Sequence, residues 1–381
     1  MSFRVMMLSG DESNRIILKP TFYFAVLAIA AIEVSYLVYR YLIRPRNKMS
    51  TAPQELIISS KLYIDIPPNK VPIIYSPGYD ISFLGMEKMH PFDSAKWGRV
   101  CQFLIIGGGL AKDGIVEPRE ASKEDLLVVH TELYLKSLRN SANVARIIEV
   151  PPVAVFPNCL LQQKVLSPFR KQVGGTILAA KLAKHRSWAI NIGGGFHHCS
   201  REKGGGFCAY ADISLCIHYA FVLLDISSVM IIDLDAHQGN GHEMDFSNDD
   251  RVYILDMYNP DIYPFDFEAR RYINHRVEVV SGTTTEQYLA KLNTALNEVA
   301  ETPNFKPQLV IYNAGTDILD GDPLGRLKVS PCGVINRDEM VFQFAHERNI
   351  PIVMLTSVVK NIQLQKHTGP AHFRCHRVPQ P

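Results

Sequence analysis

Short apolar segments alternate with longer amphipathic segments along the chain from Val71 onward. Runs that are apolar at both odd and even positions predict strands covered on both faces, at residues 72–75, 188–192, 229–234, 252–256, 308–312 and 351–355. Helical periodicity predicts helices at residues 94–103, 123–139, 175–184, 212–223, 284–301 and 337–347. The alternating order predicts an α/β domain with one mostly parallel sheet flanked by helices.

The N-terminal region has a different pattern from the rest of the chain. Residues 22–39 read FYFAVLAIAAIEVSYLVY and contain one charged side chain, Glu33. A helix of that length spans roughly 27 Å, close to the thickness of the hydrocarbon core of a bilayer. We therefore predict a hydrophobic N-terminal helix in residues 1–43, with residues 21–43 as a candidate transmembrane anchor. The alternative is a buried helix or a spurious segment of the gene model.

The remaining boundaries follow from changes in composition. Residues 44–66 are polar and contain prolines, which is typical of a linker. The alternating pattern fills residues 67–357, which we predict to be the main domain. Residues 358–381 are basic and irregular and predict a divergent tail.

Composition and charge limit the class of protein. The 381 residues are 47% hydrophobic and 20% charged, which is typical of a globular chain and not of a disordered one. The net charge of +2 shows no basic excess that would indicate nucleic-acid binding. The 7 cysteines have scattered spacings without a C-x-x-C pair, which argues against a disulfide framework and for a reducing compartment.

Three polar clusters follow predicted strands, which is where parallel α/β sheets bind their ligands. They consist of His197 and His198 after a run of three glycines, of Asp233, Asp235 and His237 at alternating positions, and of Asp317. Alternate residues of an extended backbone point to one side. Each cluster also has a structural alternative, because Asp often caps a helix and a single His is often a core residue.

Together the clusters contain the groups that a catalytic metal site needs. Asp317 and the second cluster can complete a site of two carboxylates and one histidine with an open coordination position. A zinc ion held by three protein ligands retains a water molecule and lowers its pKa. A neighbouring histidine can then transfer protons or bind substrate. The clusters therefore predict metal-assisted hydrolysis of an amide.

The chain resembles the zinc-dependent histone deacetylases, most closely class IV, over residues 71–356. The segments that carry the resemblance are VPIIYSPGYDISFLGMEKMHPFD, REASKEDLLVVH, INIGGGFHHCSREKGGGFCAYADI, IIDLDAHQGNGHE and IYNAGTDILDGDPLG. The resemblance implies a single arginase/deacetylase-type catalytic domain over residues 67–357, with one catalytic zinc ion. It also implies removal of acetyl and long-chain acyl groups from lysine.

The same resemblance implies partners and a location. Substrates would be acyl-lysine proteins such as histones, with co-regulator proteins as further partners and no sequence-specific nucleic-acid binding. Members of the family act in the nucleus and the cytoplasm. Insertion of residues 21–43 would instead place the catalytic domain on the cytosolic face of a membrane.

The family motifs assign roles around the zinc ion. The implied zinc ligands are Asp235, His237 and Asp317. His197 and His198 would lie beside the zinc-bound water, with His198 as the general base. The buried acid behind His197 would be Asp233. Asn240 stands where the family often has an acid behind the second histidine.

The family motifs also assign substrate-binding residues. Gly206 resembles the glycine whose carbonyl receives the substrate amide, and Phe207 and Tyr263 resemble the aromatic walls of the acyl-lysine tunnel. The alternative for the two aromatic residues is a simple core position. Residues 233–257 resemble the loop that binds a structural potassium ion, partly through backbone oxygens.

The chain departs from the family pattern after Ser357. The family continues with a Gly-Gly-Tyr loop, whose tyrosine polarises the scissile carbonyl, whereas this chain continues with Val358, Val359 and Lys360. No tyrosine follows Tyr312 in the sequence. Loss of one oxyanion donor costs roughly 10²–10³ in rate, so the resemblance implies an impaired deacylase.

Two alternative functions remain at this stage. The first is a catalytically inactive isoform that binds acyl-lysine or acts as a scaffold. The second is an arginase-like enzyme or polyamine amidohydrolase on the same fold. Arginase-type sites hold two manganese ions and need further carboxylates, so Asn240 disfavours this option.

Overall fold

The computed structural model describes residues 52–82, 85, 96–302 and 305–357. The predicted N-terminal helix and the predicted tail lie outside these residues. No helix in the described ranges is long and apolar enough to cross a membrane. Part of the predicted linker is helical: residues 52–59 form a helix, and its Ile57 is fully buried.

Seven parallel strands form a single sheet in the described part of the chain. The strands are β1 (Ile73–Ile74), β2 (Trp188–Asn191), β3 (Val229–Asp233), β4 (Val252–Tyr258), β5 (His275–Glu278), β6 (Leu309–Asn313) and β7 (Ile352–Leu355). Their order is β1-β2-β7-β6-β3-β4-β5, and every neighbouring pair is parallel. The predicted α/β class and its parallel sheet are therefore confirmed.

The α-helices occupy most of the intervals between the strands. They are α1 (Ala52–Ser59), α2 (Lys96–Ile106), α3 (Lys123–Leu126), α4 (Glu132–Ser137), α5 (Ser141–Ile147), α6 (Asn158–Leu161), α7 (Ser167–Arg186), α8 (Asp212–Leu223), α9 (Asn240–Asp245), α10 (Thr285–Ala300) and α11 (Pro331–Glu347). A π-helical turn, Gln162–Leu166, joins α6 to α7.

The structure differs from the predicted secondary structure in a divided helix and a missed strand, and it adds the unpredicted helices α1, α5, α6 and α9. The single helix predicted at residues 123–139 is divided into α3 and α4, because Thr131 caps a new helix by accepting a hydrogen bond from the backbone N–H of Tyr134. The strand β5 was missed because its residues, HRVE, include one apolar side chain. This edge strand forms through its pairing with β4.

Alternate residues of the strands pack into two separate apolar cores. Ile231 and Ile311 face the core that contains α7 and α8, whereas Ile232 and Val310 face the core that contains α10 and α11. Both faces of the central strands are therefore covered by helices, and the carboxyl ends of the strands form the open edge.

Buried His130 provides a test of this packing through the pH dependence of stability. Its Nδ1 lies 3.2 Å from the carbonyl of Arg201, and its Nε2 accepts a hydrogen bond from Ala211 N at 3.0 Å. Burial lowers the pKa of His130 to about 4. The stability due to the neutral ring is therefore fully present above pH 6.5, the ordinary histidine pKa, and is lost as the pH falls towards about 4.

We expect His130→Gln to flatten this dependence. Wild-type protein loses on the order of 3 kcal/mol through His130 between pH 6.5 and 4, and the variant lacks this contribution. Denaturant unfolding of both proteins at several pH values in this interval measures the difference in slope. Parallel curves would show that His130 does not contribute.

Candidate active site

The predicted site residues meet at the carboxyl ends of four adjacent strands. Asp233 ends β3 opposite Asn313, the last residue of β6, and Asn313 donates a hydrogen bond to Asp233 Oδ1 at 3.0 Å. His197 and His198 follow β2, and Ser357 follows β7. Parallel pairing brings these distant segments together, as the positions of the motifs predicted.

A tight glycine turn carries the two histidines into the site. Gly194 and Gly195 have φ values of 72° and 76°, a conformation that favours glycine. A side chain at Gly194 would collide with Thr176 and Asp212, and one at Gly195 would collide with Asn313. Glycine is therefore required at both positions for conformational and steric reasons.

Asp212, the first residue of α8, holds this turn in place. Its fully buried carboxylate accepts hydrogen bonds from Gly195 N and Phe196 N, both at 2.8 Å, and from Thr176 Oγ1 at 2.7 Å. The sequence analysis did not identify this residue. Its position at the start of a predicted helix, following the histidine motif, was the available signal.

Asp212→Asn is expected to lower the free energy of unfolding by about 2–4 kcal/mol, because an amide cannot accept from all three donors. Denaturant unfolding measures the change. Asp250→Asn, an exposed substitution of the same chemistry, is the control and should leave stability within about 0.5 kcal/mol. Equal stability of the two variants would contradict the role of Asp212.

The three predicted metal ligands converge on one point. The buried side chains of Asp235, His237 and Asp317 offer ligand atoms within 4.8 Å of one another. His237 Nδ1 lies 2.7 Å from Asp317 Oδ2 and 3.1 Å from Asp235 Oδ1. The hydroxyl of Ser357 donates to Asp235 Oδ2 at 3.1 Å.

The charge and bonding of this group fit a divalent cation. Burial and the charge of Asp235 raise the pKa of Asp317 to about 6. Within the described part of the chain, buried Asp317 Oδ2 receives no hydrogen bond of acceptable geometry. A metal ion would coordinate this oxygen and offset the repulsion between the two carboxylates. Two carboxylates and one imidazole are a suitable donor set for zinc.

The tandem histidines lie beside the metal ligands but have different partners. His197 Nδ1 is 2.9 Å from Asp233 Oδ2, whereas His198 Nδ1 is 2.9 Å from Asn240 Oδ1. Both rings are buried, and their centroids are 4.1 Å apart. The centroid of His198 is 5.9 Å from that of His237.

These partners separate the pKa values of the two histidines. Burial by itself lowers the pKa of His197, but the charges of Asp233 and Asp235 outweigh it and raise the pKa to about 9. Burial and the charges of His197 and His237 hold the pKa of His198 well below its usual range. Near neutral pH these surroundings favour the protonated form of His197 and the neutral form of His198.

The predicted substrate residues occupy different environments. The rings of Tyr263 and His198 have centroids 4.8 Å apart, and Tyr263 is 40% exposed. A side chain at Gly206 would collide with the ring of His198. Phe207 is buried with its ring 5.5 Å from that of Phe169. Gly206 and Tyr263 thus lie beside His198 at the site, whereas Phe207 packs in the apolar core.

A sequence model of the histone deacetylase domain matches residues 90–357. The chain belongs to the histone deacetylase family. It is 71% identical to histone deacetylase 2 of Arabidopsis thaliana over 313 residues, which cover 81% of this chain and 80% of that protein. It is 28% identical to human histone deacetylase 1, over 68% of this chain and 55% of that protein. By family, it is a zinc-dependent protein lysine deacetylase.

Solved structures of histone deacetylases share the fold. A crystal structure of a histone deacetylase homologue complexed with SAHA has a TM-score of 0.59 and 21% identity, and covers 76% of this chain and 79% of that one. The HDA15 HD domain has a TM-score of 0.61 and 18% identity, and covers 75% and 84%. These likenesses support the arginase/deacetylase-type α/β fold.

This histone deacetylase domain also contains a second buried group of ligand-type residues. Asp233, His242 and Asp256 offer ligand atoms within 4.8 Å of one another, and His242 Nε2 lies 2.8 Å from Asp233 Oδ2. Burial and the charges of Asp233 and Glu243 raise the pKa of Asp256 well above its usual range. The sequence analysis gave His242 no role, although this residue lies within the segment IIDLDAHQGNGHE and within the predicted potassium loop, residues 233–257.

Proposed function

We propose that this chain hydrolyses acyl-lysine amides with zinc held by Asp235, His237 and Asp317. The observation that carries the proposal is the convergence of these buried ligands beside a histidine of lowered pKa, His198. When bound, the zinc ion supplies Lewis acidity to the site.

The chain's own residues would transfer the proton. His198 accepts a proton from the attacking water at Nε2, the ring nitrogen that does not face Asn240, and returns it to the leaving lysine amine. His197 carries a positive charge that is held by Asp233 and stabilises negative charge on the substrate oxygen.

The substrate and cation assignments extend this proposal. Gly206, Phe207 and Tyr263 would bind acetyl-lysine or long-chain acyl-lysine of proteins such as histones, as in a class IV enzyme. The exposure of Tyr263 beside His198 supports its place at the entrance. A structural potassium ion would bind within residues 233–257, where buried carboxylates cluster. Co-regulator proteins would be further partners, in the nucleus or the cytoplasm.

The sequence outside the described residues leads to two further proposals. Lack of the Gly-Gly-Tyr loop after Ser357 would impair the enzyme by removing one oxyanion donor. Residues 21–43 would anchor the catalytic domain, residues 67–357, to the cytosolic face of a membrane.

Hydrolysis of acetyl- and myristoyl-lysine peptides by the zinc-loaded, full-length chain tests the function. We expect slow turnover that falls at least 10²-fold in His198→Ala, with zinc retained. Equal rates in both proteins would contradict the assigned base. Stoichiometric zinc and peptide binding without turnover would favour the alternative of an inactive acyl-lysine-binding protein.

A further inference from the structure

His198 is the first member of a hydrogen-bonded series that ends at a carboxylate. Its Nδ1 lies 2.9 Å from Asn240 Oδ1, and Asn240 Nδ2 donates to Asp266 Oδ2 at 3.1 Å. His197 instead contacts its carboxylate, Asp233, directly. The two histidines therefore differ by one amide group between the ring and the acid.

This series determines which atom of Asn240 faces His198. A primary amide can present either its oxygen or its nitrogen, whereas a carboxylate only accepts hydrogen bonds. Asp266 thus holds the Asn240 nitrogen on its own side and leaves Asn240 Oδ1 towards the ring. Because Oδ1 can only accept, His198 Nδ1 must carry the hydrogen and Nε2 keeps its lone pair.

Asp266 is itself held by further hydrogen bonds to its side chain and to its backbone carbonyl. Its Oδ1 accepts a hydrogen bond from Ala269 N at 3.1 Å, at the start of a short 3-10 turn, Ala269–Tyr272. Its backbone carbonyl accepts from Gln238 Nε2 at 3.1 Å. The carboxylate is therefore fixed relative to Asn240 and cannot turn away without breaking a backbone contact.

We propose that Asp266 is a positioning residue that acts through Asn240 to keep His198 in the form with hydrogen on Nδ1. This inference deepens the proposed function, because it rests on His198 as the base. An acid in direct contact would orient the ring and also favour its charged form. The interposed amide transmits the orientation while it keeps the negative charge further away.

The sharpest variant is Asp266→Asn, which preserves the size of the side chain. The introduced amide can keep its oxygen on Ala269 N, and its nitrogen then faces Asn240. Asn240 must rotate to accept this hydrogen bond, which turns Asn240 Nδ2 towards His198. We expect His198 to change to the form with hydrogen on Nε2, because only an unprotonated Nδ1 can accept from that nitrogen.

The hydrogen position can be measured independently of turnover. The probe is two-bond ¹H–¹⁵N NMR of zinc-loaded, full-length protein labelled at histidine, with His198→Ala identifying the signals of His198. Wild-type protein should show protonated Nδ1 and unprotonated Nε2, and Asp266→Asn should exchange the two. Asp261→Asn, an exposed substitution on the same loop, is the matched control and should leave the spectrum unchanged.

Adding Asn240→Asp to Asp266→Asn should rescue the original form. The carboxylate at position 240 accepts from the amide at position 266 and also from His198 Nδ1, and the second of these bonds is the one that the wild-type Asn240 oxygen accepts. We expect the double variant to recover hydrogen on Nδ1. In peptide hydrolysis, Asp266→Asn should lower kcat at least about tenfold with KM unchanged, since a wrongly placed hydrogen behind a catalytic histidine costs up to about 10⁴.

The two readouts separate this inference from the proposed function. Hydrogen on Nε2 in wild-type protein, or an unchanged His198 spectrum in Asp266→Asn, would overturn the inference even if His198→Ala abolishes turnover. The expected exchange and its rescue would support the inference. If they occur while His198→Ala retains wild-type turnover, the assignment of His198 as the base fails and the positioning role of Asp266 stands.

Discussion

Asp317→Asn should reduce the zinc bound by the folded, full-length chain from about one equivalent to less than about a tenth. The substitution removes one of two anionic ligands, and structural or catalytic zinc sites depend on their complete ligand set. The amide oxygen can still accept from Ala236 N, which donates to Asp317 Oδ1 at 2.9 Å, so the fold should persist. Metal analysis after dialysis, together with circular dichroism, measures the result.

The control for this variant is Asp320→Asn, an exposed substitution three residues further along the chain. It should retain wild-type zinc. Zinc should also raise the melting temperature of the wild-type and control proteins but not that of Asp317→Asn, because a ligand stabilises only the state that binds it. Stoichiometric zinc in both Asp317→Asn and Asp235→Asn would refute the assignment of the metal ligands.

Restoring the Gly-Gly-Tyr sequence directly after Ser357 should raise kcat by about 10²–10³. The triple substitution Val358→Gly, Val359→Gly and Lys360→Tyr supplies the hydroxyl donor that the family uses at the substrate carbonyl, and one such donor contributes about this much to catalysis. Single-turnover hydrolysis of acetyl-lysine peptide measures the gain.

A matched variant with Lys360→Phe beside the same two glycines lacks only the hydroxyl group. It should retain the slow rate of the natural sequence. Equal acceleration by both triple variants would assign the gain to the backbone and not to a hydrogen bond. No gain in either variant would show that the missing tyrosine does not limit the rate, and would count against the alternative of an isoform inactivated by its loss.

The sheet could be predicted because its central strands have a strong local signal. The five residues of β3 and of β6 are buried, and their unbroken apolar runs indicate strands covered on both faces. The edge strand β5 lacks such a run, because its residues HRVE are partly or fully exposed and only one of them is apolar. Pairing with β4 forms this strand, so its existence depended on a long-range contact.

The second layer around the site could not be predicted in the same way. Asp266 lies in a segment without a catalytic motif. Asp212 lies at the end of one of the segments that carry the family resemblance, but the sequence assigned it no role. The contacts of Asp212 reach residues 16 to 36 positions away, and those of Asp266 reach residues 26 to 28 positions away. Contacts over such distances along the chain leave no periodic pattern in the sequence that could reveal them. The folded chain brings these carboxylates to the backbone of the glycine turn and to the amide of Asn240.

The amino-acid sequence by itself determined the fold class, the histidine and carboxylate motifs, and the resemblance to the histone deacetylases, because apolar periodicity and motif spacing are local properties. The tertiary structure decided which side chains meet and how their charges act. Burial and neighbouring charges move the pKa values of His197 and His198 in opposite directions, although the two residues are adjacent in the chain. Their partners lie 36 and 42 residues away, so only folding distinguishes the two histidines.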